Sequence, residues 1–161
     1  MRFHHIMDQN GHNNFHWYVD LHVSDSIVIK NILVDTGASI STLGIRSLAR
    51  IYKMSEASMK EYLTESEITD KVTRFTATKD SVELNGVFLR DVKLDDTDLK
   101  VFKVYTRLDG HVSNLIGMDI ISACHTDLKH LDEGKASFDS EMYKPDVSGA
   151  AEIKALQPDA N

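Results

Sequence analysis

The chain has 161 residues, 42% of them apolar and 27% charged, with a net charge of −7. That length suits one domain with an ordinary core. The acidic balance argues against nucleic acid as a partner, because phosphate contacts need clustered Lys and Arg, and no apolar run is long enough to span a membrane. The lone Cys124 excludes an internal disulfide. The opening MRFHHIMDQN lacks an apolar signal core, so a cytoplasmic setting is expected.

Residues 1–14 are polar and His-rich, and a flexible arm is expected there. From Phe15 the pattern turns β-like: FHWYVDLHV and IVIKNILV flank a polar break at Ser24-Asp25-Ser26 and read as a hairpin. Ile45 to Leu63 places its apolar residues at helical spacing, which predicts one or two short helices, with Ser55 capping the second. Strands return at Lys71, where KVTRFTA and SVEL flank a polar turn at Thr78-Lys79-Asp80. Asn85-Gly86 suits the positive φ angles of a second tight turn before VFLRDVKL.

LKVFKVY supplies a further strand, and NLIGMDIISA changes from strand to short helix at Gly117. TDLKHL and KASFD form a last hairpin around Asp132-Glu133-Gly134. Residues 144–161 are polar and carry prolines, which predicts a disordered tail and leaves 15–143 as the domain. Many short strands with few helices indicate a mainly β, small, closed architecture.

The segment that carries chemistry is ILVDTGASIS, Ile32 to Ser41. An apolar strand delivers Asp35 into a tight turn of Gly and small hydroxyl residues, where turn amides can hold the carboxylate rigidly. An Asp in such a place can also do no more than stabilise its own turn. Downstream stands SNLIGMDII, two apolar residues and a Gly followed by Met-Asp and more apolar residues.

Together these segments resemble the retropepsin-like aspartic proteases, with the order of elements agreeing from about Phe15 to Asp139. That family has Asp-Thr-Gly-Ala-Ser/Asp at a strand end, then a flap hairpin, then an apolar-apolar-Gly strand packed behind the active-site loop. The resemblance implies a closed acid-protease β-barrel with one or two short helices, acting as an endopeptidase on a peptide or protein substrate. Asp35 would be the catalytic carboxylate, with Thr36, Gly37, Ala38 and Ser39 supporting it. Thr36 would bond across to the partner's matching loop, and Ser113 and Leu115 would line the first specificity pocket. Thr78, Lys79 and Asp80 would belong to the flap that closes over substrate, although its turn carries no Gly. One chain holds a single Asp-Thr-Gly, so a homodimer would supply the second Asp35, its subunits joined through their terminal strands. No cofactor or metal is implied. The alternative is a catalytically weak or inactive member that serves as a dimerisation or peptide-binding module.

Three other families that place an Asp after an apolar strand fit less well. The haloacid-dehalogenase-like phosphatases need a second Asp two residues on, where Gly37 stands. The sugar-kinase and actin-like ATPases need two large domains, and an integrin-type metal site loses a ligand to Gly37. His4, His5, His12 and His16 lack zinc-site spacing, and Cys124 has no Cys partner. Cys124 and His125 are neighbours in sequence, which does not make them a catalytic pair. The acidic run Asp91 to Asp98 lacks the Gly and terminal Glu of an EF-hand and reads as a solvated turn.

Overall fold

The computed structural model describes residues 1–6, 10, 16–64, 74–79, 82–108, 112–125 and 135–145. β1 (Trp17–His22) and β2 (Val28–Val34) pair antiparallel as the alternating pattern requires. Val19, Leu21 and Ile32 point inward with no exposed surface. The register slips between Val19 and Leu21. Asn31, opposite the slip, adopts φ 60°, and its amide donates to Asp20 Oδ1 at 2.9 Å. Asn tolerates this left-handed conformation better than most side chains.

Two short helices follow, α1 (Ile45–Ile51) and α2 (Glu56–Thr64). They place Leu48, Ile51, Met59 and Leu63 in the core. Ser55 Oγ accepts the Ser58 amide at 3.1 Å and caps α2, as the sequence suggests.

β3 (Arg74–Lys79) and β4 (Val82–Leu94) form the expected hairpin, with Lys79 opposite Val82. Positions 80 and 81 lie outside the described residues. Asn85-Gly86 is not a turn. It lies inside β4, with Asn85 between Thr76 and Thr106 and Gly86 between Phe75 and Tyr105. Pairing on both sides overrides the local turn preference of the dipeptide. β5 (Thr97–Thr106) returns along β4 after the Asp95-Asp96 turn. β6 (Leu115–Ile116) passes through Gly117 into α3 (Met118–Ile121). β7 (Cys124–His125) pairs with β8 (Ser137–Phe138), while the expected turn at 132–134 lies outside the described residues.

The chain is mainly β with few short helices. Its principal sheet runs β3-β4-β1-β2-β6, with β5 on β4. The closed barrel expected from the sequence is not formed by these strands. Between β5 and β6 lies the Ser41–Leu43 segment, which touches each side through a single bridge, Thr42 to Tyr105 and Thr42 to Leu115. Each bridge is closed by two backbone hydrogen bonds, Leu43 N to Tyr105 O and Tyr105 N to Ser41 O on one side, and Thr42 N to Leu115 O and Leu115 N to Thr42 O on the other, at 2.9 to 3.0 Å.

The beginning of the chain also departs from expectation. Residues 1–6 are not a loose arm: Arg2 bridges Lys135, His4 bridges Tyr18, and Met1 is buried. His4 and Tyr18 exchange backbone hydrogen bonds of 3.0 and 2.7 Å. Phe3 packs on the core and its ring lies 6.3 Å from that of Trp17. Two apolar side chains among polar neighbours give no periodicity, yet their burial is enough to dock the segment. Of the expected tail, only Lys144 and Pro145 fall among the described residues.

Candidate active-site loop

β2 carries the chain into Asp35 alongside β6, to which it is parallel: Leu33 stands opposite Leu115 and Val34 opposite Ile116. The Asp35 amide donates to Ile116 O at 2.9 Å, so β6 fixes the end of the strand. The loop then folds back: the Ala38 amide donates to Asp35 O at 3.2 Å, and the Gly37 amide donates to Asp35 Oδ1 at 2.8 Å. A Cβ on Gly37 would sit 3.1 Å from Asp35 Oδ1, close enough that the carboxylate would have to give way by a few tenths of an ångström. Asp35 Oδ2 has no hydrogen-bond partner among the described residues.

Behind the loop lies a lock. Ser41, fully buried, donates from its amide to Asp119 Oδ2 at 3.0 Å and from Oγ to Asp119 Oδ1 at 2.7 Å. Ser41 Oγ also accepts the Gly117 amide at 3.0 Å, and the Met118 amide donates to Ala38 O at 2.7 Å. Hydrogen bonds to an ionised acceptor are worth roughly twice neutral ones. Asn114 ties the next segment, its Oδ1 accepting the Gly44 amide at 2.9 Å. The β6–α3 corner thus holds the Asp35 loop from behind through backbone and side chain together.

Of the residues singled out from the sequence, Asp35, Gly37 and Ala38 come together in this loop, where Thr36, Gly37 and Ser39 are exposed and Ala38 is half-buried. Leu115 is half-buried on β6. Ser113 is exposed, and its carbonyl accepts Thr42 Oγ1 at 2.6 Å. Thr78 and Lys79 end β3, opposite Glu83 and Val82, whereas Asp80 lies outside the described residues. Sequence reasoning missed Asp119, Ser41 and Asn114. Asp119 follows Gly117 by two positions, but its partner Ser41 is 78 residues away, a pairing no local pattern reveals.

No protein-family model and no curated protein matches the chain. Among solved structures it is similar to a retropepsin-like aspartic protease from Rickettsia conorii. The identity is 21%, over 78% of this chain and 86% of that one, with a TM-score of 0.46.

The other reactive groups stand apart from this chemistry. Burial pushes the Cys124 thiol up to about 11, and its sulfur lies 3.5 Å from Ile120 O. A thiol so protonated is a poor nucleophile. Asp20, His22 and Asp95 bring possible metal-ligand atoms within 4.8 Å of one another, at the end of the β1–β2 hairpin remote from Asp35. Two of these carboxylates already stitch the corner: Asp95 Oδ1 accepts the Asp20 amide at 3.0 Å and Asp20 Oδ1 accepts the Asn31 amide.

Burial holds the Asp95 carboxyl above the usual carboxylate range, with the Asp20 charge pushing the same way, against the hydrogen bond from the Asp20 amide. A raised folded-state pKa means that ionisation of Asp95 opposes folding, so its contribution falls as pH rises through that pKa. Asp95→Asn keeps the Oδ1 acceptor and suits the φ of 50° at this position. Its melting temperature should exceed that of the wild type at pH 7, and the gain should vanish below about pH 3, where the Asp is neutral in both states. Thermal unfolding across pH checks this, and a lower melting temperature at pH 7 contradicts it.

Proposed function

We propose that the chain is one subunit of a homodimeric, retropepsin-like aspartic endopeptidase whose catalytic pair is Asp35 from each copy. The observation that carries this is the Asp35 carboxylate. It sits at a strand end, oriented through Oδ1 by the Gly37 amide, while the lock of Ser41, Gly117 and Asp119 holds its loop. A carboxylate that only stabilised its own turn would not need such backing. The other acid near the loop, Asp119, is committed through both oxygens to Ser41, which leaves a second copy of Asp35 as the natural partner.

Two carboxylates held together cannot readily both ionise and so share one proton, as in aspartic proteases generally. The ionised Asp35 accepts a proton from water as its oxygen attacks the scissile carbonyl carbon. The protonated Asp35 of the other copy donates to the carbonyl oxygen, giving a neutral diol. Return of a proton to the amide nitrogen then lets the C–N bond break, releasing an acid and an amine. Thr36, exposed beside Asp35, would link the two loops. Leu115 and Ser113 would line the pocket for the residue before the cleaved bond. The β3–β4 hairpin, with Thr78 and Lys79 at the end of β3, would cover the peptide.

Such a site exists only in the dimer, so specific activity on a peptide pool should fall as the protein is diluted through its dimer dissociation constant. Activity and sedimentation measured over the same concentrations test this. Constant specific activity where only monomer sediments would overturn the composite site. Peptide binding without cleavage would make the chain a binding module.

A further inference from the structure

The corner where β1 meets the β4–β5 turn gathers a second set of reactive side chains. Along β1 alternate residues face inward, Val19 and Leu21 being fully buried. The same alternation puts Asp20 and His22 together on the other face. β1 pairs with β4 through Leu21–Leu94 and His22–Lys93, which brings Asp95, the first residue after β4, beside them. Asp20, His22 and Asp95 are all half-buried, and one ligand atom from each lies within 4.8 Å of the other two. Ligand atoms around a single ion stand roughly 3–4 Å apart, given metal bonds of about 2 Å, so small side-chain rotations close the set.

Each carboxylate is aimed by the backbone through one oxygen and has a second to give. Asp20 Oδ1 accepts the Asn31 amide at 2.9 Å, and Asp95 Oδ1 accepts the Asp20 amide at 3.0 Å. Asp95 Oδ2 is buried, yet no hydrogen bond reaches it, although the Arg2 amide and His4 lie near the carboxylate. A buried acceptor without a donor is rare, because its lost hydration goes unreplaced. A cation would supply the missing partner. Lys93, opposite His22, reaches Asp98, its ammonium 3.7 Å from Oδ1. His4 Nε2 stands 3.6 Å from Asp20 Oδ1 and borders the set from outside, where such a group can steady a ligand. One imidazole with two carboxylates suits a first-row ion such as zinc better than magnesium or calcium, which prefer oxygen alone.

We propose that Asp20, His22 and Asp95 form a binding site for one divalent transition-metal ion, zinc above all, which ties β1 to the β4–β5 turn. Three protein ligands leave a fourth position for water. The sequence does not show such a site because Asp20 and Asp95 are 75 positions apart. The inference is independent of the peptidase assignment.

The test is metal titration of the full-length protein after EDTA treatment and desalting, read by calorimetry and by melting temperature. Zinc chloride should bind at one ion per chain and raise the melting temperature. Magnesium and calcium chloride at the same concentration should do neither. His22→Ala and Asp95→Asn should each weaken zinc binding by roughly tenfold or more and remove most of the melting shift. A variant with His5, His12 and His16 replaced by Ala should bind zinc as wild type does, which separates the corner from casual capture by the His-rich start of the chain. No stoichiometric zinc binding, binding unmoved by both site variants, or binding lost in the triple variant overturns the site. Magnesium or calcium binding as tight as zinc overturns the role of His22. Asp95→Asn keeps the acceptor for the Asp20 amide, so it keeps the test valid if His22→Ala fails to fold.

Discussion

Replacing Asp35 by Asn should abolish peptide hydrolysis while leaving the fold and the dimer intact. The substitution separates two roles that coincide in one side chain. Asn keeps an Oδ1 acceptor for the Gly37 amide, which donates to Asp35 at 2.8 Å, so the turn survives. What disappears is the ionisable group, and with it the shared proton that activates water. Loss of such a group costs roughly ten-thousand-fold in rate or more. If Asp35 only braced its turn, the variant would behave as wild type in every assay. Unfolding and sedimentation matching wild type, with cleavage at background, is the expected combination. Near wild-type cleavage would end the assignment.

The largest structural effect should come from Gly117→Ala. Gly117 has φ −100° and ψ −171°, a conformation any residue adopts, so backbone freedom is not why Gly stands there. The reason is space. A Cβ would lie 2.4 Å from Ile40 O, 2.6 Å from Ile40 C and 2.8 Å from Ala38 O. All three are backbone atoms of the Asp35 loop, and no rotamer change can move them aside. Either the loop shifts or the β6–α3 corner does, and both break the bonds from Gly117 to Ser41 Oγ and from Met118 to Ala38 O.

Overpacking of this kind costs about 1–3 kcal/mol and sometimes more, a large part of a stability of about 5–15 kcal/mol. The variant should melt well below wild type, and any folded fraction should have lost its activity because the displaced loop carries Asp35. Wild-type melting temperature and activity in this variant would show that the corner does not hold the loop.

Much of the fold was legible because one face of most elements is buried. The β1–β2 hairpin, the two helices with Ser55 at the second cap, and the strand-to-helix change at Gly117 all follow from local periodicity and caps. Asn85-Gly86 misled because turn chemistry is local while β4 is held on both sides by β3 and β5. Met1 and Phe3 were illegible because one buried and one half-buried residue make no pattern. The site divided in the same way. Asp35 and Gly37 announce themselves as a contiguous motif. Their support does not, because the Ser41–Asp119 clamp spans 78 positions and the Asn114–Gly44 tie spans 70. A carboxylate that receives hydrogen bonds across such a distance looks, in sequence, like any other acidic residue after a glycine.

The sharpest measurement of the composite site is a mixing experiment with wild type and Asp35→Asn, allowed to exchange subunits at a fixed total concentration above the dimer dissociation constant. If each active site needs one Asp35 from each chain, an equimolar mixture retains about one quarter of the activity of undiluted wild type, because only that share of randomly formed dimers carries both carboxylates. Activity of about one half, the value for chains that act independently, would contradict the account.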